Sequence, residues 1–263
     1  MADRVRILRV GEGESPSAWG EALGGRSWEA GDRIKHDGPR SVWHATVLGS
    51  AVSVKVRPAS GLRVRLRLTE FGRSVRAAKR LARNGVETAP VFAHAVVGGD
   101  EVLVNAWLEG PTLLAVLAEA SEDEKPPLVR AAGSLIGRQL KAVLFNRDHK
   151  PSNIIVVDRA SAALALVDVG GVRRIAFATS TTWIRLATRM CAAVCTEPMG
   201  VGHPLGEEHR RVLVETVALG TASGWSGITA TELRDKLWTE LDRTIAAHGD
   251  AVPKINPLGP RDP

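Results

Sequence analysis

Along the first hundred residues apolar and polar positions alternate in short runs; beyond them the spacing shifts to three and four. SVWHATV and AVSVKV alternate about a Leu48-Gly49-Ser50 turn, so short strands are predicted from about Asp32 to Val56. PASGLRVRL reads as a loop, in which Arg63, Arg65 and Arg67 alternate with Val64, Leu66 and Leu68 as a solvated, strand-protecting edge, with lipid-phosphate or membrane-surface contact as the alternative. Val75, Ala78, Leu81 and Ala82 then fall at helical spacing, which predicts a helix over about 70–84, stopped by Gly85. VFAHAVV and EVLVNAWL are two further strands, joined at Gly98-Gly99-Asp100. After Glu109-Gly110-Pro111 the pattern turns helical: Thr112 N-caps a helix through Ala120, and a second follows Pro126-Pro127 to about Val143. IIVVD and ALALVDV interrupt as strands, and 176–249 is predominantly helical. The pattern therefore divides the chain into an unassigned segment 1–30, a β-rich part 31–108 with one helix, a mostly helical part 109–250 and a Pro-rich flexible tail 251–263.

Composition narrows the class. With 44% hydrophobic and 24% charged residues over 263 positions, the chain has ordinary globular usage, which excludes wholesale disorder. No apolar run approaches the roughly 20 residues of a membrane span, and MADRVRILRVGEGE lacks the apolar core of an export signal. A cytoplasmic location is the expectation. Cys191 and Cys195, four apart in a helical pattern, read as packing thiols. The net charge of +6 raises nucleic-acid binding, yet the seven Trp residues are scattered and build no stacking platform, so no nucleic-acid partner is expected.

The chemistry concentrates in FNRDHKPSN, residues 145–153, and in LVDVGG, which brings Asp168 fifteen residues after Asn153. Phosphoryl transfer needs a carboxylate to orient the acceptor hydroxyl, a cation near the moving phosphate and oxygen ligands for magnesium. Asp148, Lys150, Asn153 and Asp168 supply these in order, the last two as the hard oxygen donors that Mg²⁺ prefers.

FNRDHKPSN resembles the catalytic loop of protein kinases, and LVDVGG resembles their magnesium-binding motif. Lys55 in AVSVKV resembles the strand lysine that meets the α- and β-phosphates. KHDGPRSVWHATV, with Gly38 and Ser41, occupies the place of the glycine-rich loop, and Glu109 follows a hinge-like VLVNAWLEGPTLLAVL. The order and spacing match over about residues 35–175. GRSVRAAKRLARNGVETAPV and LVDVGGVRR are similar to the lipopolysaccharide kinases (Kdo/heptose kinase family), and the chain enters the helix WIRLATRMCAAV within about ten residues of Arg174.

That resemblance implies an α+β, two-lobed kinase-like fold with a short activation segment and ATP in the cleft between the lobes. Lys55, Gly38, Ser41, Glu70 and Glu109 would serve the nucleotide, and Asn153 with Asp168 would hold Mg²⁺. Asp148 and Lys150 would be catalytic. The implied acceptor is a sugar hydroxyl of lipopolysaccharide core or a related glycolipid, with peripheral contact at an anionic membrane surface on the inner face of the cell membrane. The chain departs from the pattern in three places. Asn146 stands where the loop has His, the glycine-rich loop keeps only Gly38, and Glu70 lies about one turn early, with Ser74 nearer the usual position. A Ser/Thr protein kinase and a pseudokinase acting as a binding module are the alternatives. His149 is expected to pack rather than react.

Overall fold

The computed structural model describes residues 3–66, 68–175, 179–222 and 228–248; the predicted tail 251–263 lies outside them. The chain divides into two compact units, Met1–Arg80 with Thr88–Leu108, and Leu81–Glu87 with Glu109–Pro263.

The first unit is built on one six-stranded antiparallel sheet: β1 (Val5–Val10), β2 (Asp32–Asp37), β3 (Arg40–Val47), β4 (Ser50–Pro58), β5 (Val91–Val97) and β6 (Asp100–Ala106), ordered β1-β5-β6-β4-β3-β2. Strand alternation gives it two apolar faces. Val47, Val52, Val54, Ala93, Ala95, Val97, Val102 and Val104 pack on one side with Trp19, Leu23 and Trp28. On the other, Leu103 and Val91 meet Phe71 and Val75 of helix α3 (Glu70–Arg83).

Of residues 1–30, unassigned from the sequence, those from 3 onward supply the cover of the first face. They form β1, helix α1 (Pro16–Gly24) and a 3-10 turn, Ser27–Ala30. Ser15 Oγ accepts from Ala18 N, Pro16 occupies the first helical position, and Trp19 and Leu23 stack four residues apart against the sheet. A nine-residue helix with two large apolar residues is too short for periodicity to reveal. The expectation of one helix in the β-rich part 31–108 is corrected by the short α2 (Gly61–Arg65), which precedes α3; α1 belongs to the segment left unassigned. The alternating Arg/Leu run is also corrected, because through residue 65 it coils into α2, with only Val64 buried among its apolar residues. Arg67 lies outside the described residues.

The second unit is mostly helical: α4 (Leu113–Glu119), α5 (Lys125–Lys141), α6 (Ser180–Gly200), α7 (Glu207–Ala222) and α8 (Ala230–His248). Thr112 Oγ1 accepts from Ala115 N and caps α4 as the sequence predicts. Pro126 and Pro127 lie inside the first turn of α5 rather than before it, where the missing N–H groups cost no helical hydrogen bond. α5 packs closely on α7 at Gly133 and Gly137: a Cβ at Gly133 would stand 2.9 Å from Thr216 Cβ, and one at Gly137 3.1 Å from the Gly220 backbone. Four short strands complete the unit: β7 (Leu144–Asn146) with β10 (Val172–Arg174), and β8 (Ile154–Asp158) with β9 (Ala163–Leu166). Among the described residues no helix is long and apolar enough to cross a membrane.

Candidate active site

Two ladders in the second unit hold the loops that carry the predicted chemistry. In the β8–β9 hairpin Ile154 pairs with Leu166, and Val167 N donates to the Asn153 carbonyl at 2.9 Å, so Asn153 and Asp168 leave the hairpin at the same end. In the second ladder Asn146 pairs with Val172, and Arg147 N donates to the Gly171 carbonyl at 3.4 Å. Loop 147–153 and loop 167–171 are therefore strapped together at both ends. Left-handed backbone at two non-glycine residues marks their entries: Val143 (φ +58°) turns the chain into β7, and Asp168 (φ +53°) opens the 3-10 turn Val169–Gly171. Such conformations cost an L-residue on the order of 1–2 kcal/mol and persist where the surroundings impose them.

Inside loop 147–153 the backbone is closed on itself. Asn146, buried, accepts the Asp148 N–H on Oδ1 at 3.1 Å. The Asp148 carbonyl accepts from Asn153 Nδ2 (2.9 Å) and from Lys150 N (3.0 Å). With its amide nitrogen committed, Asn153 has Oδ1 as the atom left for a cation. The Asp148 carboxylate is half-exposed and pairs at 3.2 Å with both Nε and Nη2 of its exposed neighbour Arg147, a solvent-screened contact that holds it only weakly. The backbone of Gly171 passes directly beneath that carboxylate.

Lys150 Nζ lies 3.3 Å from Glu197 of α6, a residue the sequence reading missed. The same carboxylate accepts Ser152 N at 2.8 Å and Ser152 Oγ at 2.7 Å, tying the end of the loop to α6. No local motif flags an acid more than forty positions downstream. His149 is fully buried, accepts from Gln139 Nε2 at 3.2 Å on Nδ1, and is held neutral because burial pushes its pKa down to about 3. It packs, and has no reach to solvent.

Between β10 and α6 only five residues intervene, Ile175 to Thr179, of which 176–178 lie outside the described ones. A groove of about 650 Å³ opens between α6 and α8, lined by Ser180, Thr181, Arg185, Arg189, Lys236 and Thr239 among others. Arg189 also stacks over Phe145 of β7, three residues before Asp148. Glu109 is exposed, and Gly110 (φ +125°) lets the chain pass against the Val156 carbonyl.

In the first unit, Lys55 stands on β4 between Val42 of β3 and Leu103 of β6, half-buried. By alternation it shares a face with Leu103, the face that α3 covers. Ser41 and Trp43 point to the opposite face; Ser41 Oγ accepts from Trp43 Nε1 at 3.1 Å. Gly38 (φ +54°) makes the β2–β3 turn, and with Ser41 lines a cavity of about 390 Å³ whose walls include Arg26, Arg33, His36, Arg40 and Trp43. Glu70, first residue of α3, lies 3.5 Å from both Arg57 and Arg40.

Behind Glu70 sits a buried network that the sequence reading did not find. Glu101, fully buried, accepts from Arg57 Nε and Nη2 (2.8 and 2.6 Å), from Thr69 Oγ1 (2.5 Å) and from His94 Nε2 (2.8 Å). Burial alone would raise the carboxyl pKa; the hydrogen bonds from His94, Thr69 and Arg57 outweigh it and hold the group below its usual range. Thr69 Oγ1 in turn accepts Gly72 N at 3.0 Å, capping α3, so the network fixes where that helix begins.

The donor set suits magnesium. Asn153 and Asp168 would bring one amide and one carboxylate oxygen from strapped loops, a donor set that fits a Mg²⁺ ion taking its remaining ligands from elsewhere. No cluster of three His, Cys, Asp or Glu among the described residues offers a closed metal cage instead.

No protein-family model matches the chain, and no curated protein does. Among solved structures it is similar to "WaaP in complex with acyl carrier protein", with a TM-score of 0.62 at 17% identity, over 93% of this chain and 98% of that one. The chain has the fold of that protein, with a sheet-bearing N-terminal region followed by a helical one, consistent with the kinase-like fold that the sequence resemblance implies.

Proposed function

We propose that this chain is an ATP-dependent phosphotransferase that moves the γ-phosphate to a hydroxyl, with a sugar of lipopolysaccharide core or a related glycolipid as acceptor. The observation that carries the reading is the strapping of Asp148, Asn153 and Asp168 onto adjoining loop ends by the two ladders. Similarity in fold to WaaP supports the kinase-like architecture, the acceptor class follows from the sequence resemblance to lipopolysaccharide kinases, and the five-residue link from β10 to α6 leaves little chain for an extended peptide platform.

Asn153 and Asp168 would hold Mg²⁺, which when bound neutralises charge on the phosphates. Lys55 would meet the α- and β-phosphates, with Gly38, the backbone of Ser41, Glu70 and Glu109 serving the nucleotide; the Ser41 side chain points to the opposite face. The Asp148 carboxylate would accept the acceptor's hydroxyl proton and orient its oxygen. Asn146 holds the Asp148 backbone for that task, and Lys150, steadied by Glu197, would offset charge on the transferred group. Arg185 and Lys236, lining the α6–α8 groove, would receive an anionic acceptor. WaaP is held in complex with acyl carrier protein, so a protein partner of that kind belongs to the same reading.

The test is transfer from labelled ATP to core oligosaccharide, membrane glycolipid and a generic protein. Asp148→Ala should abolish transfer to the sugar and leave nucleotide binding within a few-fold; full activity in that variant would sink the assignment. A second reading, a pseudokinase serving as a binding module, is favoured by Glu70, whose carboxylate is engaged by Arg57 and Arg40. It predicts no thermal shift with millimolar ATP and Mg²⁺ and no transfer to any acceptor.

A further inference from the structure

The chain's positive charge is concentrated in one stretch. Residues 57–83 hold nine Lys and Arg against the single acid Glu70, a net +8, whereas the whole chain is +6. Everything outside that stretch therefore sums to −2.

Helix α3 supplies five of these charges in an ordered array. Arg73, Arg76, Lys79, Arg80 and Arg83 fall within about a third of the helix circumference, opposite the buried Phe71, Val75 and Ala78. Just before it, α2 and the residues after it present Leu62, Leu66 and Leu68 to solvent, 66, 58 and 52% exposed, with exposed Arg63 among them. Val64 alone turns inward and anchors the segment. Arg73 Nη1 donates to the Leu68 carbonyl at 3.1 Å, which ties the leucine-bearing segment to the basic helix.

Single exposed leucines are ordinary on any surface. Three within seven residues, beside a basic array and with no acid between Lys55 and Glu70, have the makeup of an interfacial membrane segment. A soluble polyanion would engage the cations but leave the leucines in water; a bilayer takes both.

We propose that α2, the residues that follow it and the basic face of α3 form a docking surface for an anionic phospholipid bilayer. Leu62, Leu66 and Leu68 enter the boundary between headgroups and acyl chains, and the cations of α3 meet lipid phosphates. Docking needs no phosphate transfer, so the inference stands apart from the catalytic reading, and Asp148→Ala should bind vesicles as the wild type does.

The experiment is sedimentation of the full chain with phosphatidylcholine vesicles, with and without 30% phosphatidylglycerol. Wild type should sediment with the anionic vesicles only, and release as salt is raised. Lys79→Gln with Arg83→Gln should weaken binding about 25-fold, near fivefold per charge. Leu62→Ser with Leu66→Ser, both at solvent-facing positions that folding does not need, should weaken it at least tenfold. Circular dichroism checks that both double variants stay folded. Equal binding to neutral vesicles would overturn the proposal. So would a leucine double variant that binds unchanged while the charge variant releases; that result assigns the array to an acidic macromolecule, for which purified acyl carrier protein is the probe in the same assay.

Discussion

The backbone of Gly171 lies so close to the Asp148 carboxylate that a Cβ there would stand 2.3 Å from Oδ2 and 2.9 Å from Cγ. No side chain can be added without displacing the carboxylate. Gly171→Ala should therefore move the proposed base while leaving both ladders intact. Under the phosphotransfer reading kcat falls about 100-fold, the scale of an ångström-sized misplacement, with nucleotide affinity nearly unchanged. Steady-state kinetics with separate nucleotide titration checks it; an unaltered kcat would mean that the carboxylate takes no part in transfer.

Glu197 separates anchoring from charge. Glu197→Gln keeps an amide oxygen for Ser152 while removing the anion beside Lys150, and should alter kcat by less than about threefold. Glu197→Ala also abandons both Ser152 contacts, and is expected to lower stability by about 1–3 kcal/mol. It should also slow transfer at least tenfold. Comparing the two variants in kinetics and denaturation reads the positioning role; identical losses would deny it.

Glu101 is the buried anion on which the start of α3 depends. Removing it leaves Arg57 and His94 without their shared acceptor, so Glu101→Ala should cost about 3–5 kcal/mol in chemical denaturation. Thr69→Val, which loses one bond to Glu101 and the cap on Gly72, should cost about 1–2 kcal/mol.

His149 is neutral in the folded chain with a pKa near 3, against about 6.5 when unfolded. The unfolded state thus binds the extra proton first as pH falls. Stability should drop below pH 6.5 by about 1.4 kcal/mol per unit until the folded pKa is reached. Glu101, with its folded pKa depressed, acts in a lower window: its contribution is present above about pH 4.5 and is lost as pH falls through its folded value. Denaturation curves between pH 7 and 5 for the wild type and His149→Phe isolate this histidine among the chain's seven, and the variant should flatten the slope.

Much of this architecture is legible in the sequence because local patterns enforce it. The turns at Gly49 and Gly98-Gly99, the cap at Thr112 and the stop at Gly85 (φ +66°) act over a few residues. The spacing from Asp148 to Asn153 and on to Asp168 is visible as text. What escapes is short or non-local. β7 and β10 have three residues each, too few to show a period, yet they fix where Gly171 meets Asp148. Glu197 and Glu101 reach their partners only through the fold. The Arg/Leu alternation misleads because a period of two is also what a short helix shows when Leu62 and Leu66, four apart, both face water.

Cys191 and Cys195 are both buried on successive turns of α6; burial raises the first thiol well above its ordinary pKa and pushes the second up to about 12. They are the only cysteines in the chain, and neither supplies a thiolate at neutral pH. A cysteine introduced at an exposed position such as Leu66 would thus be the sole group to take up a maleimide fluorophore. The native background is ready for site-specific spectroscopy without a single cysteine being removed.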